Sequence, residues 1–208
     1  SNGDVGALDY REKAPLAASK NMYLDSLGNV IPGKSTLGAF AIGVPGSVAG
    51  ILAVHEKLGS LPLSEIIAPV IQLAEKGVVV TERQAQALKY FQKELIEVNG
   101  DSTLFAKTFR EGDTIRYPAL AKTLRNISEN GRAGFYTGET AQKLAAFIQE
   151  KGGVVTEEDL EKYEAVWRQP IIFDYRGIRI ISMSPPSSGG VTIQQTLKLL
   201  GPCPATEP

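Results

Sequence analysis

The sequence predicts an α+β fold that is mostly helical and carries a β-hairpin on its C-terminal side. From about residue 47 to residue 164, apolar residues recur at intervals of three and four, and the segments end at glycines, which is typical of amphipathic helices. From Ala165 to Met183, Ile, Val and aromatic residues dominate and Arg176-Gly177 divides them, which indicates an antiparallel hairpin. Because two strands alone do not form a stable sheet, we expect the hairpin to join a larger one.

Composition and charge exclude several classes of function. The chain has 208 residues, 43% of them hydrophobic and 22% charged, which is enough for one domain with a core. Its 22 basic and 23 acidic residues give a net charge of −1, so we expect no nucleic-acid partner. No apolar run approaches the roughly 18 residues of a membrane-spanning helix, and we expect no transmembrane segment. One cysteine, Cys203, and one histidine, His55, cannot build a Cys/His zinc site, so no metal is expected.

We expect residues 1–208 to form a single partial domain whose parts differ in composition. Residues 1–3 resemble the remnant of a removed tag. Residues 4–40 are rich in Gly, Pro, Ser and Asn without a sustained period, which predicts an extended leading segment, poorly anchored unless it packs on the helices. Residues 41–164 form the helical body, 165–184 the hairpin, 185–200 a turn and a helix, and 201–208 a tail.

The first two helices are predicted from apolar spacing and glycine stops. The pattern after VPGSVAG indicates a helix over about Ser47–Leu58, ended by Gly59. The next opens at Pro62 and closes at Gly77, and we expect Pro69 to kink it. The residues expected to face inward in these two helices are Val48, Ile51, Leu52, Ile66, Ile67, Val70, Ile71 and Ala74.

The later helices begin at recognisable caps. Thr81, with Gln84 three residues on, predicts a capping box at the start of a long helix, and Pro118 begins another that ends before Gly131. GETAQKLAAFIQEKGG indicates a further helix, Thr156 caps a short one with two acids in its first turn, and VTIQQTLKLL ends the series. The inward residues expected here are Ala85, Leu88, Phe91, Leu95, Leu120, Leu124, Ile127, Leu144, Phe147 and Ile148.

Arg11, in the stretch DYREKAP, is the first candidate for chemistry. Its guanidinium is always protonated and presents several N–H donors in one plane. This arrangement can bind a carboxylate through two parallel hydrogen bonds. The residues alone favour a simpler interpretation, an internal salt bridge to Asp9, Glu12 or a distant acid.

The other candidates have ordinary structural explanations. Ser187 and Ser188 of SPPSSGG could be a nucleophile or an anion nest, but a turn and a helix N-cap are simpler roles. His55 is expected on a helix surface. The acid pairs Glu157-Glu158 and Asp9-Glu12 are more simply helix-start and solvated charges than a general acid and base. GVPGSVAG lacks the spacing of a phosphate-binding loop, which favours close helix packing.

Three stretches in order, LDYREKAP, VPGSVAG and MSPPSSGG, with YRG ahead of the last, resemble the large subunit of γ-glutamyltranspeptidases. The sequence GFYTGETAQKLAAFIQEKGGVVTEEDLEKYEAVWRQPI between them is similar to the same proteins almost continuously. The resemblance covers residues 4 to about 200. It implies that the chain is a fragment of an αββα N-terminal-nucleophile hydrolase sandwich. It also implies that Arg11 binds the α-carboxylate of a γ-glutamyl substrate.

The resemblance further implies how the parent protein works. A precursor cleaves itself, and the new N-terminal threonine of a small catalytic subunit attacks the γ-glutamyl amide, with its own amine as base. No cofactor is implied, and the parent is expected to be periplasmic or secreted. Relatives that act on poly-γ-glutamate or cephalosporin-type amides, and a non-enzymatic helical binding module, remain alternatives.

Departures from the family pattern indicate that no catalytic residue lies in this chain. No Thr-Thr-His junction occurs and no two threonines are adjacent, and the GGNAxDAA and GGGGF segments of the family are absent. Ser1 is an N-terminal residue with a hydroxyl side chain, but the sequence that follows it is not the motif that follows the nucleophile in the family. We therefore expect the fragment alone to be inactive. We also expect the hairpin edge, meant for the absent small subunit, to be uncovered and open to self-association.

Overall fold

The computed structural model describes residues 3–201 and shows an α+β chain, as predicted. The described residues fall into two compact units. The central unit spans Glu12–Tyr163, and the terminal unit takes its described residues from 3–11 and 164–201. Arg11 is therefore the last residue of the terminal unit before the chain passes into the central one.

The central unit is built mainly of helices. They are α1 Ser47–Leu58, α2 Leu63–Lys76, α3 Glu82–Asn99, α4 Pro118–Asn130, α5 Ala133–Tyr136, α6 Gly138–Glu150 and α7 Glu157–Glu161. Short 3-10 helices cover Ala39–Ala41 and Leu104–Ala106. Two short strands, β2 Val78–Val79 and β3 Thr114–Ile115, pair antiparallel. The sequence analysis missed α5 and this pair, since segments of two to four residues carry no measurable period.

The predicted helix ends are confirmed. α1 spans the predicted Ser47–Leu58 and is followed by Gly59, and α4 runs from Pro118 to the residue before Gly131. Both capping-box bonds form at the start of α3, between Thr81 and Gln84. These helix ends could be predicted because each depends on residues within one turn of the helix. α2 continues through Pro69 as one helix.

The core of the central unit is centred on two tyrosines. Tyr136 and Tyr163 are almost completely buried, and their rings stack 5.8 Å apart with an interplanar angle of 8°. The Tyr136 hydroxyl donates to the Pro45 carbonyl at 2.8 Å and accepts the Ala49 N–H at 3.1 Å. Burial raises the pKa of Tyr136, although the Ala49 N–H and the charge of nearby Arg132 act against it. The buried hydroxyl therefore stays protonated and joins α5 to the start of α1.

The predicted inward faces are only partly correct. Small side chains occupy the closest packing positions, among them Ala74 on α2, Ala121 on α4, and Ala141 and Ala145 on α6. Six residues expected to face inward are about half exposed: Ile51, Ile66, Val70, Phe91, Leu120 and Phe147. Apolar spacing identifies residues that share a helix face, but it does not show whether another element covers that face.

The terminal unit contains the remaining strands and the last helix. β1 Ala7–Asp9 pairs antiparallel with β4 Val166–Arg168. β5 Ile171–Tyr175 and β6 Ile178–Ser182 form the hairpin, with Arg176 and Gly177 at the turn in left-handed backbone conformations. α8 Gly189–Leu200 contacts the hairpin, chiefly β5. The hairpin is confirmed, but the strand predicted to run through Val166 is divided, because Pro170 cannot donate to a ladder.

The leading segment is anchored within each unit. β1 belongs to the ladder with β4, and Lys13 pairs with Val44 in the central unit. Over residues 7–16 the leading segment is therefore held in place, whereas the sequence predicted a poorly anchored segment unless it packed on the helices. On the hairpin, the cross-strand pair Ile172 and Ile181 is about two-fifths exposed. Self-association through this hairpin stays a prediction.

No helix among residues 3–201 combines the length and the apolar character needed to cross a bilayer.

The Tyr136 hydroxyl can be tested by removing it. We expect Tyr136→Phe to lower the free energy of unfolding by about 1–3 kcal/mol, because the buried Pro45 carbonyl and Ala49 N–H lose their partner. Equilibrium unfolding in urea measures the loss. Tyr90→Phe is the matched control, since Tyr90 is 79% exposed on α3. Equal stability of the two variants would contradict the role of the hydroxyl.

Candidate functional site

Arg11 lies at the surface, two residues after the end of β1. The strand pairs Ala7 with Arg168, Leu8 with Trp167 and Asp9 with Val166. This ladder fixes the backbone up to Asp9. Arg11, which is exposed, therefore follows closely on an ordered strand end.

The carboxylate of Asp9 holds the backbone of Arg11. Asp9 Oδ1 accepts the Arg11 N–H at 3.2 Å, and Oδ2 accepts Arg168 Nε at 2.8 Å and Nη2 at 2.7 Å. The Asp9 side chain is only 10% exposed. Because the Asp9 carboxylate is paired with Arg168, it has a structural role. This does not favour the alternative in which Asp9 and Glu12 are an acid–base pair.

The chain that follows Arg11 is held inside the central unit. Lys13 donates its N–H to the Val44 carbonyl at 3.2 Å and accepts the Val44 N–H at 2.8 Å. A Cβ placed on Gly43 would lie 3.0 Å from Glu12 Cγ, so glycine permits this close approach. Glycine in the sequence AIGVPG therefore has a packing role beside DYREKAP.

Asp159 anchors the same segment from α7. Its Oδ1 accepts the Leu16 N–H at 2.6 Å, while Oδ2 accepts the N–H and the hydroxyl of Thr156, each at 2.8 Å. Burial acts to raise the pKa of Asp159, but the three hydrogen bonds from Leu16 and Thr156 outweigh it and the pKa lies below its usual value. The carboxylate is therefore charged at neutral pH and joins the leading segment to the first turn of α7.

Cations and aromatic rings stack beneath this anchor. Lys13 Nζ lies 4.9 Å from the centroid of the Tyr163 ring, and Arg132 lies 4.7 Å from that of Tyr136. Since the two tyrosines stack on each other, the order is Lys13, Tyr163, Tyr136, Arg132. Arg132 Nη2 also donates to the carbonyls of Glu161 and Tyr163, both at 2.6 Å. The stack thus holds Lys13, two residues after Arg11, against a buried tyrosine ring.

A cavity of about 320 Å³ adjoins the DYREKAP segment within the central unit. It is lined by Glu12, Lys13, Ala14, Pro15, Ala18, Met22, Tyr23, Phe40, Ala41, Ile42 and Gly43.

The other candidates from the sequence have structural roles. His55 Nε2 lies 2.8 Å from the Leu61 carbonyl, which ties α1 to the following turn. Ser187 Oγ accepts the Gly189 N–H at 3.3 Å, while Ser188 is the N-cap residue of α8 without a side-chain cap. Glu158 on α7 pairs with Lys162, the residue that follows the end of the helix. Cys203 lies outside the described residues.

Within residues 3–201, no group of three or more His, Cys, Asp and Glu side chains is arranged to hold a metal ion.

Sequence reasoning missed the partners that hold the segment around Arg11. The spacing Thr156-x-x-Asp159 is a capping-box signal that could have been found. The contact of Asp159 with Leu16 could not, since it joins residues 143 positions apart. Likewise, no local pattern in the sequence predicts that Arg168 pairs with Asp9, which lies 159 positions away.

Three comparisons relate the chain to known proteins. A family model described as gamma-glutamyltranspeptidase matches residues 1–207. The glutathione hydrolase proenzyme of Pseudomonas sp. (strain A14) is 43% identical over 211 residues, covering 100% of this chain and 37% of that protein. The glutathione hydrolase proenzyme of Escherichia coli (strain K12) is 41% identical over 203 residues, covering 96% of this chain and 35% of that protein.

A solved structure has the same fold. The crystal structure of Helicobacter pylori gamma-glutamyltranspeptidase is 42% identical and aligns with a TM-score of 0.94, covering 99% of this chain and 60% of that chain. The present chain thus spans little more than a third of the length of the two curated relatives.

Asp159→Asn tests the anchor on Leu16. We expect a lower free energy of unfolding at neutral pH, by about 1–3 kcal/mol, since the charged acceptor of a short buried hydrogen bond is lost. The folded-state pKa is depressed below the unfolded value of about 3.9. The stabilisation is therefore complete above that value and is lost as the pH falls through the folded-state pKa. The difference in free energy of unfolding between wild type and variant should stay constant down to about pH 5 and become smaller below about pH 4.

Urea unfolding across this pH range gives the measurement, and Asp25→Asn is the control. Asp25 is exposed and accepts local hydrogen bonds, among them those from the backbone N–H groups of Leu27 and Asn29 and from the Asn29 side-chain amide. We expect a smaller loss for it at neutral pH. A pH-independent gap for Asp159→Asn would show that the carboxylate charge does not stabilise the anchor.

Proposed function

The chain belongs to the γ-glutamyltranspeptidase family, and we propose that its parent protein transfers or hydrolyses the γ-glutamyl group of glutathione-like amides. The motif resemblance inferred from the sequence is confirmed by the family match over residues 1–207. Within this proposal, the present chain supplies part of the large subunit, and Arg11 binds the α-carboxylate of the γ-glutamyl group.

The placement of Arg11 is the observation that carries the proposal. Its side chain is exposed while its backbone N–H is held by Asp9 at the end of a strand. A guanidinium presented in this way can donate two parallel hydrogen bonds to a substrate carboxylate. Both peptide-like and polymeric γ-glutamyl substrates can present an α-carboxylate to Arg11. A cephalosporin-type amide has no γ-glutamyl α-carboxylate, so it fits this arginine less well.

The chemistry of the reaction belongs to a partner subunit in this proposal. An N-terminal threonine, produced by self-cleavage of a longer precursor, attacks the γ-glutamyl carbonyl, and its α-amine takes the hydroxyl proton. The amide C–N bond then breaks, the departing amine receives that proton, and the γ-glutamyl group stays on the threonine oxygen as an ester. The acyl group then passes to an acceptor amine or to water. Arg11 contributes by holding the glutamyl end while the amide reacts. The parent is proposed to act in the periplasm or outside the cell, without a cofactor.

Arg11→Ala in the full-length parent tests the assigned role. We expect KM for γ-glutamyl-p-nitroanilide to rise roughly ten- to a hundredfold with a smaller change in kcat. The physical reason is the loss of a charge-assisted contact of about 1.5–3 kcal/mol that is made in the ground state as well as the transition state. Steady-state release of nitroaniline measures both constants.

Arg83→Ala is the matched control for this substitution. Arg83 is an exposed arginine in the first turn of α3, remote in sequence from DYREKAP. Its removal is expected to leave KM unchanged. An Arg11→Ala enzyme with wild-type KM would assign Arg11 a purely structural role.

A second test concerns the 208-residue chain by itself. We expect it to release no nitroaniline from γ-glutamyl-p-nitroanilide above the buffer rate, since its sequence has no Thr-Thr-His junction. Ser1→Ala is the control for the N-terminal hydroxyl. Turnover by the unmodified chain that disappears in Ser1→Ala would contradict the assignment of the nucleophile to a partner subunit.

A further inference from the structure

We infer that Arg168 is a positioning residue for Arg11 and that it acts through the carboxylate of Asp9. The inference rests on the proposed role of Arg11 in binding the substrate's α-carboxylate. Arg168 orders the strand end that carries Arg11 and does not itself touch the substrate in this proposal.

The pairing of β1 with β4 brings Arg168 to Asp9. Ala7 lies opposite Arg168 and Asp9 lies opposite Val166, so Asp9 and Arg168 are diagonal neighbours on one face of the ladder. Two N–H groups of Arg168, on Nε and Nη2, converge on Asp9 Oδ2 at 2.8 and 2.7 Å. These are short, charge-assisted hydrogen bonds, and together they fix the rotation of the carboxylate.

Fixing the carboxylate determines what its second oxygen does. Asp9 Oδ1 accepts the N–H of Arg11, two residues later, in the manner of an Asx turn. The ladder ends at Asp9, so the backbone of Tyr10 and Arg11 has left the strand pairing. The turn at Asp9 therefore sets the direction in which Arg11 leaves the strand. If Arg168 is removed, the Asp9 side chain can rotate and the turn loosens.

The expected effect is on geometry more than on folding. The side chain of Arg168 is 41% exposed and that of Asp9 only 10% exposed, so the loss of Arg168 also costs some stability, because the Asp9 carboxylate loses a charged donor. Binding of a carboxylate by a guanidinium fork, by contrast, depends on orientation, and a displacement of about 1 Å can cost up to about a hundredfold. Loss of Arg168 should therefore weaken substrate binding while the chain stays folded.

The experiment compares Arg168→Gln with Arg125→Gln in the full-length parent. Arg125 forms an ion pair with Glu75 between α4 and α2, and its side chain is 45% exposed, so it matches Arg168 in exposure and chemistry. We expect Arg168→Gln to raise KM for γ-glutamyl-p-nitroanilide about tenfold, with kcat changed by less than about twofold. Arg125→Gln should leave both constants unchanged.

A double-mutant cycle separates positioning from a general structural role. In an Arg11→Ala background, Arg168→Gln should raise KM no further, because the group it positions is absent. With 4-aminobutanoyl-p-nitroanilide, which lacks the α-carboxylate, Arg168→Gln and wild type should have equal KM. Arg168→Lys keeps a donor for Asp9, so its KM should lie between those of wild type and Arg168→Gln. This variant also keeps the test decisive if Arg168→Gln does not fold.

The outcomes distinguish the two proposals. A wild-type parent that releases no nitroaniline overturns the proposed function, and the inference with it. If the parent is active and Arg11→Ala raises KM, the inference alone is overturned by an unchanged KM in both Arg168 variants. It is overturned equally if Arg168→Gln raises KM by the same factor with and without Arg11.

Discussion

The buried hydroxyl of Tyr136 is the interaction on which the central unit depends. A polar group that is removed from water must find hydrogen-bond partners inside the protein, and this one joins the Pro45 carbonyl and the Ala49 N–H. That requirement fixes the start of α1 against α5. The ring of Tyr136 then stacks on Tyr163, over which Lys13 lies, so the buried hydroxyl also supports the position of Lys13 within the central unit.

Helix ends could be predicted from the sequence, because the residues that cause them lie within one turn. Thr81 with Gln84, Pro118 and Gly59 each act locally, and the structure places the helix ends there. β1 could not be predicted, since Ala7–Asp9 is too short to show a period and its partner strand is distant in the chain. The faces of the helices were only half predictable. Phe91 shares a face with Leu88 and Leu95, yet no periodicity tells whether that face is covered.

The candidate site divides in the same way between what the sequence shows and what only the fold shows. Arg11 was identified by a motif shared with a family, and its chemistry follows from the guanidinium alone. Asp159 was recognisable as part of a helix cap, but its bond to Leu16 arises from tertiary structure. Arg168 was an ordinary strand residue until the ladder placed it beside Asp9. Residues that hold a candidate binding residue in place are thus harder to predict than the candidate itself, because they depend on non-local contacts.

The terminal unit is assembled from both ends of the described chain, which has a consequence for the order of folding. Asp9 and Arg168 are 159 positions apart, whereas the helices of the central unit make many contacts within short stretches of sequence. Contacts between distant positions require the closure of a long loop, so they form slowly unless the intervening chain is already compact. The central unit shortens that loop when it folds. We therefore expect Arg11 to acquire its orientation late, after the central unit has folded.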